Sequence, residues 1–217
     1  MPEDRMSNHE PFPNEGWTAL SGADREAFLA QVNALQEKFS FSGEGVFVHW
    51  RPVPFYPRCA LIRLTDTDWS PLPLTLWFVG QGGSLTMLDG TSRPIHDLNQ
   101  KAGIELTPET ILDYLRFFCF FVHGDAGPFH IVETVEDLGL LGSLTDGQRL
   151  QLEEALFAPL LDERTGDGGS FFISANILYG DTLYRAKFRI LPTGPVEMLE
   201  DESLFGGLVT AGNMPQL

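Results

Sequence analysis

The chain has 217 residues, 43% of them hydrophobic, with 30 acidic against 14 basic side chains and a formal net charge of −16. That length supports a core without disulfide or metal staples, one that buries roughly 70% of the unfolded surface. The acidic excess argues against nucleic acid, whose phosphates are held by cations that release counterions, and against anionic membrane surfaces. It suits solubility and a cationic partner instead.

Seventeen Phe against four Tyr mean that most aromatic surface has no polar handle and belongs to a core. Cys59 and Cys119 lie far apart in apolar runs, which makes them buried thiols and neither a metal pair nor a disulfide framework. The N-terminal stretch has mixed charge and no apolar centre, and no apolar run approaches the length of a membrane span. The expectation is a cytoplasmic protein with no cofactor and no metal.

In chain order, residues 1–16 carry Pro2, Pro11 and Pro13 among polar residues and read as a flexible arm. A helix is expected from Ser21, with Asp24 in its first turn and Phe28, Leu29, Val32, Leu35 and Phe39 as its apolar stripe. Strands follow at Val46 to Pro52, Cys59 to Thr65, Leu74 to Val79 and Ser84 to Leu88. The last two are joined through Gly80, Gly82 and Gly83. No helix start follows those glycines, so they fit a hairpin turn and not a phosphate loop.

Thr107 and Pro108 open a second helix as cap and first residue. Ile111, Leu112, Leu115, Phe118, Cys119 and Val122 form one stripe on it, and Tyr114, Phe117 and Phe121 a second. A helix so apolar must be covered on more than one side. Gly124 is placed as a left-handed terminator and His123 in the last turn. A strand from Phe129 to Glu133 follows, then a third helix opened by the capping box Thr145-Asp146-Gly147-Gln148.

Ser170 to Tyr179 and Thr182 to Leu191, separated by Gly180-Asp181, read as a tight hairpin, with a short strand at Val196 to Leu199. The sum is an α+β domain over 17–205: a largely antiparallel sheet of about seven or eight strands packed with about three helices, one central and mostly buried. Residues 206–217 form a flexible tail.

Two polar constellations stand out. His123, Asp125, His130 and Glu133 have the side chains that a metal or a proton transfer needs, although the spacing fits no metal motif and chain reversal alone explains the segment. His49, His123, Asp125 and His130 are the catalytic candidates. In the strands, His49 and Arg51 share a face that Arg63 can join, and Arg185, Lys187 and Arg189 share another. Arg51, Arg63, Arg185, Lys187 and Arg189 are the binding candidates, a docking stripe for an acidic peptide, phosphate or carboxylate. A solvated sheet face protected against edge pairing is the plainer explanation. Glu197, Glu200, Asp201 and Glu202 are placed to pair with that stripe in cis or to stay solvated. Trp50, Trp69 and Trp77 read as core and rim, with a stacking platform as the alternative.

There is no GxSxG elbow, HExxH helix, CxxC, phosphate loop or strand–GxGxxG–helix unit. The expectation is a non-enzymatic module that binds a protein partner, with self-association as a homo-oligomer a further option. The alternative is a small-molecule or anion-binding domain, an enzyme among the choices, with its pocket between the His49, Arg51 and Arg63 face and the Thr107 helix. A third is an acidic mimic of nucleic acid.

Overall fold

The computed structural model describes residue 12 and residues 16–35, 40–140, 144–162 and 169–209. Of the stretch expected as an arm, Phe12 and Gly16 are described; the tail is described to Val209. Among the described residues four α-helices and twelve strands form, the strands in three antiparallel sheets. This is α+β, but in place of one sheet with three helices there are two five-stranded sheets, a two-stranded ribbon and a fourth helix. Within the span expected as one domain lie two compact units, residues 13–105 and residues 1–12 with 106–217. No helix of the described residues is long and apolar enough to cross a membrane.

The 13–105 unit runs β1 (Thr18–Ala19), α1 (Gly22–Ala34), β2 (Val46–Pro52), β3 (Cys59–Asp66), β4 (Leu74–Gln81), β5 (Ser84–Leu88) and α2 (Arg93–Ala102). Its sheet is a meander in the order β1-β2-β3-β4-β5. Alternation in β2 and β3 puts Val46, Val48 and Leu64 on one face, where Phe28, Leu29 and Val32 of α1 cover them together with Phe41 and Phe78. The Phe28 and Phe78 rings meet edge to face with centroids 5.7 Å apart. Arg25 donates to the Gly43 carbonyl at 2.7 Å and the Val46 carbonyl at 2.8 Å, fixing α1 to the start of β2.

The α1 stripe is shorter than its spacing implies. Leu35 is 63% exposed, and Phe39 lies outside the described residues. The β4–β5 turn is as expected, with Gly82 and Gly83 at φ 53° and 87°, the pair of left-handed residues a two-residue hairpin takes. Helix α2 was not anticipated; it buries Ile95, Leu98, Asn99 and Ala102 and ends at Gly103, left-handed with φ 68°.

The second unit runs α3 (Ile111–Phe121), β6 (His123–Gly124), β7 (Gly127–Pro128), β8 (His130–Ile131), a 3-10 turn (Glu136–Leu138), α4 (Asp146–Ala155), β9 (Leu160–Leu161), β10 (Phe171–Tyr179), β11 (Thr182–Ile190) and β12 (Val196–Phe205). Its sheet has the order β12-β11-β10-β8, with β9 also paired to β10. Val132, Val135, Leu138, Leu152, Leu178 and Leu183 form a core cluster edged by Leu204, Phe205 and Leu208. The Thr145 capping box is present: Thr145 Oγ1 accepts from Gln148 N–H at 3.3 Å and Gln148 Oε1 from Thr145 N–H at 3.0 Å.

Helix α3 starts a turn later than Thr107 suggests. The Thr107 hydroxyl bonds the Glu109 carboxylate, holding that acid below its usual pKa, while Thr110 Oγ1 accepts from Thr107 N–H at 3.0 Å. The latter contact is the return half of a capping box, and Ile111 N–H donates to the Thr107 carbonyl at 2.9 Å, so 108–110 form a turn that leads into the helix. Every residue of α3 is buried or half-buried. Tyr114, Phe117 and Phe121 are as buried as Ile111, Leu115 and Cys119, whereas Leu112 and Phe118 are half-buried, so the nominally secondary stripe is the deeper one.

The helix also ends differently. Val122 is extended (φ −108°, ψ 117°), and Phe129 N–H closes on the Cys119 carbonyl at 3.0 Å. Gly124 is not left-handed; the left-handed glycine of the turn is Gly127, at φ 103°. Gly124 is required for another reason, since a Cβ there would collide with the Tyr179 hydroxyl. That hydroxyl accepts from Ala126 N–H at 2.9 Å, and the Tyr179 ring stacks on Phe129 at 4.5 Å. The β6–β7 ribbon is thus held against the end of β10.

Candidate functional site

The β10–β11 hairpin follows plain alternation, so Arg185, Lys187 and Arg189 fall on one face of β11. Across the sheet, β12 sets Glu202 opposite Arg185, Glu200 opposite Lys187 and Glu197 opposite Arg189. Simple alternation from Glu197 would have offered Leu199, Asp201 and Ser203 to that side. A bulge intervenes: Met198 pairs with Phe188 and Glu200 with Lys187, leaving Leu199 without a partner in register. One extra residue converts a mixed row into three carboxylates facing three cations.

Arg185 Nη1 lies 3.6 Å from Glu202 Oε2 and Arg189 Nε 3.4 Å from Glu197 Oε2. The second contact is an ion pair without hydrogen-bond alignment. Arg185 also rests over the Phe157 ring at 5.9 Å, and Asn176, its β10 neighbour, donates from Nδ2 to the Phe157 carbonyl at 3.2 Å. The three basic candidates of β11 are therefore matched by acids of their own chain.

Among the described residues the sheet stops beyond this ladder. Among the described residues β12 pairs only with β11, and its residues Glu197 to Ser203 are all exposed. Met198 and Leu199 are each 41% exposed. A second bulge leaves Leu204 unpaired and sets Phe205 opposite Leu183. The outer edge of β12 thus combines backbone donors and acceptors facing outward with carboxylates of Glu197, Glu200, Asp201 and Glu202 along seven exposed residues.

In the other unit the register sets His49 opposite Arg63 and Arg63 opposite Trp77. Arg63 is 6% exposed, with its guanidinium 5.1 Å from the Trp17 ring and 5.9 Å from Trp77; Arg51 approaches Trp17 at 5.6 Å. The two indoles are 5.9 Å apart. None of His49, Arg51 and Arg63 is free. Cation–π contact and burial describe a packed latch that holds the Trp17 end of β1 against β2. Trp17 was not singled out from sequence, because it follows a Pro-rich stretch with no periodicity. Trp50, Trp69 and Trp77 are all half-buried, Trp69 beside Phe41 at 6.3 Å.

The remaining candidates are dispersed. His123 and Asp125 are exposed on the ribbon, His130 pairs with Leu178 on β8, and Glu133 is ion-paired to Arg116. Among the described residues no group of three or more His, Cys, Asp or Glu is arranged to hold a metal ion. Cys119 is buried and desolvation pushes its thiol up to about 12; burial also raises Cys59, against the opposing charge of Arg58. Thiols so neutral are poor nucleophiles. Comparison with protein-family models, curated proteins and solved structures finds no match to the chain.

Proposed function

We propose that the protein is a non-enzymatic interaction module whose docking element is β12, and that its partner presents an extended segment carrying cations at alternate positions. The observation behind this is the exposed edge from Glu197 to Ser203, acidic along its length and paired on one side only among the described residues. Strand addition satisfies the outward backbone groups of such an edge, and side chains on alternate positions supply selectivity.

The sign of the charge selects among occupants. A second copy docked through the same edge would set carboxylates against carboxylates, a like-charge arrangement that disfavours pairing. A basic strand meets Glu197, Glu200 and Glu202 across the new pair, each set opposite Arg189, Lys187 or Arg185 in the ladder. The net charge of −16 steers such a partner toward the protein over distance.

Fluorescence anisotropy with a labelled alternating Arg-Ser peptide tests the reading. Saturable binding that weakens with salt and falls about ten-fold or more in Glu200→Lys/Glu202→Lys supports it. Equal binding of an alternating Glu-Ser peptide, or affinity unchanged by the double substitution, contradicts it.

A further inference from the structure

The sheet face that bears the three charged rungs ends in an apolar one. After Arg189 with Glu197, Lys187 with Glu200 and Arg185 with Glu202, the next rung on that side is Leu183 with Phe205. Phe205 borders a groove of about 330 Å³ whose other apolar walls are Leu140, Leu144, Leu152, Leu208 and Val209. Val209 is 64% exposed, and Gln148 and Gln151 of α4 form a polar rim.

We infer that the segment docked on β12 carries a bulky apolar side chain at the end that passes Phe205, and that this side chain seats in the groove as the anchor of the complex. The inference rests on the docking role of β12. Two features of the fold carry it: the charged rungs and the groove lie on one continuous face, and the bulge at Leu204 is what turns Phe205 toward that face. A strand laid along the edge places its alternate side chains beside Glu197, Glu200, Glu202 and then Phe205.

The division of labour follows from magnitudes. Exposed ion pairs are weak and salt-screened, so the rungs choose the partner without holding it firmly. An apolar side chain removed from water adds about ten-fold or more in affinity. Because the groove lies at one end only, it also sets the direction of the bound strand.

The test compares labelled alternating Arg-Ser peptides that end in Trp or in Ser, each in both chain directions, on the wild-type chain and on Leu144→Gln/Val209→Gln. In one direction the Trp peptide binds the wild-type chain about ten-fold or more tighter than its Ser counterpart. The double variant loses that gain while binding the Ser peptide as the wild type does, which also shows that its edge is still folded. Equal affinities of Trp and Ser peptides in both directions, or a gain that survives in the variant, overturn the anchor and leave the docking edge standing. If no peptide binds, the docking edge fails and the anchor with it.

Discussion

Arg185 and Glu202 face each other across β11 and β12 with 3.6 Å between Nη1 and Oε2, and Arg189 and Glu197 repeat the relation at 3.4 Å. What sequence presents as a stripe of cations is, in the sheet, one side of a ladder whose other side is acidic. Both partners remain half-exposed, with 46% and 68% of the Arg185 and Glu202 side chains accessible, so solvent screens the attraction. A double-mutant cycle between Arg185→Ala and Glu202→Ala by urea denaturation should give a coupling of about 0–1 kcal/mol that shrinks in high salt. A coupling several-fold larger would mean that the ladder is a major source of stability.

The Gly124–Tyr179 contact predicts a larger effect. Gly124→Ala drives a methyl into the Tyr179 hydroxyl and should destabilise by about 1–3 kcal/mol. In a Tyr179→Ala background the same change should cost little, since the obstacle is gone. Thermal melts of the four chains check this. An equal penalty in both backgrounds would trace the requirement to backbone conformation and not to the tyrosine.

Burial of Cys119 predicts a loss of stability toward alkaline pH. Its thiol is raised from 9.0 to about 12 in the folded chain, so between those values the unfolded chain has given up a proton that the folded chain keeps. Stability is fully present below about 9 and falls above it, with a slope of up to about 1.4 kcal/mol per pH unit. In Cys119→Ala this part of the slope vanishes. Urea denaturation of both chains between pH 8 and 10.5 shows it as a stability difference that narrows with rising pH, and a constant difference would contradict it.

Trp17 holds two guanidiniums near its ring. Trp17→Ala should lower stability by about 1–3 kcal/mol through lost burial and cation–π contact, with Trp17→Phe intermediate. Near-ultraviolet circular dichroism should lose the signal of the Trp17–Trp77 pair. An unaltered spectrum and melt would show that the latch is idle.

Much of the fold can be read in the chain because alternation and punctuation agree locally. β2 and β5 have the bounds their residue patterns imply, and Gly180 takes the left-handed conformation, φ 59°, that the hairpin needs. β12 was half legible. The bulges at Leu199 and Leu204 break its period of two, so only its first residues look like a strand. The match of Arg185, Lys187 and Arg189 to Glu202, Glu200 and Glu197 depends on that register, which no local pattern states. α2 had legible ends in Pro94 and Gly103, yet its polar composition hides the Ile95, Leu98 and Ala102 face. Thr107 marks the turn that leads into α3, whose Ile111 N–H closes on the Thr107 carbonyl, and not the helix itself. Cys59 and Cys119, anticipated as buried thiols, are free and buried.

Backbone hydrogen exchange of β12 in the presence of an alternating Arg-Ser peptide tests the docking edge most directly. Strand addition predicts new protection at alternate amides between Val196 and Phe205, those pointing away from β11, with the amides bonded to β11 changing little. Peptide that binds without protecting those amides, or that protects another strand instead, would contradict the account.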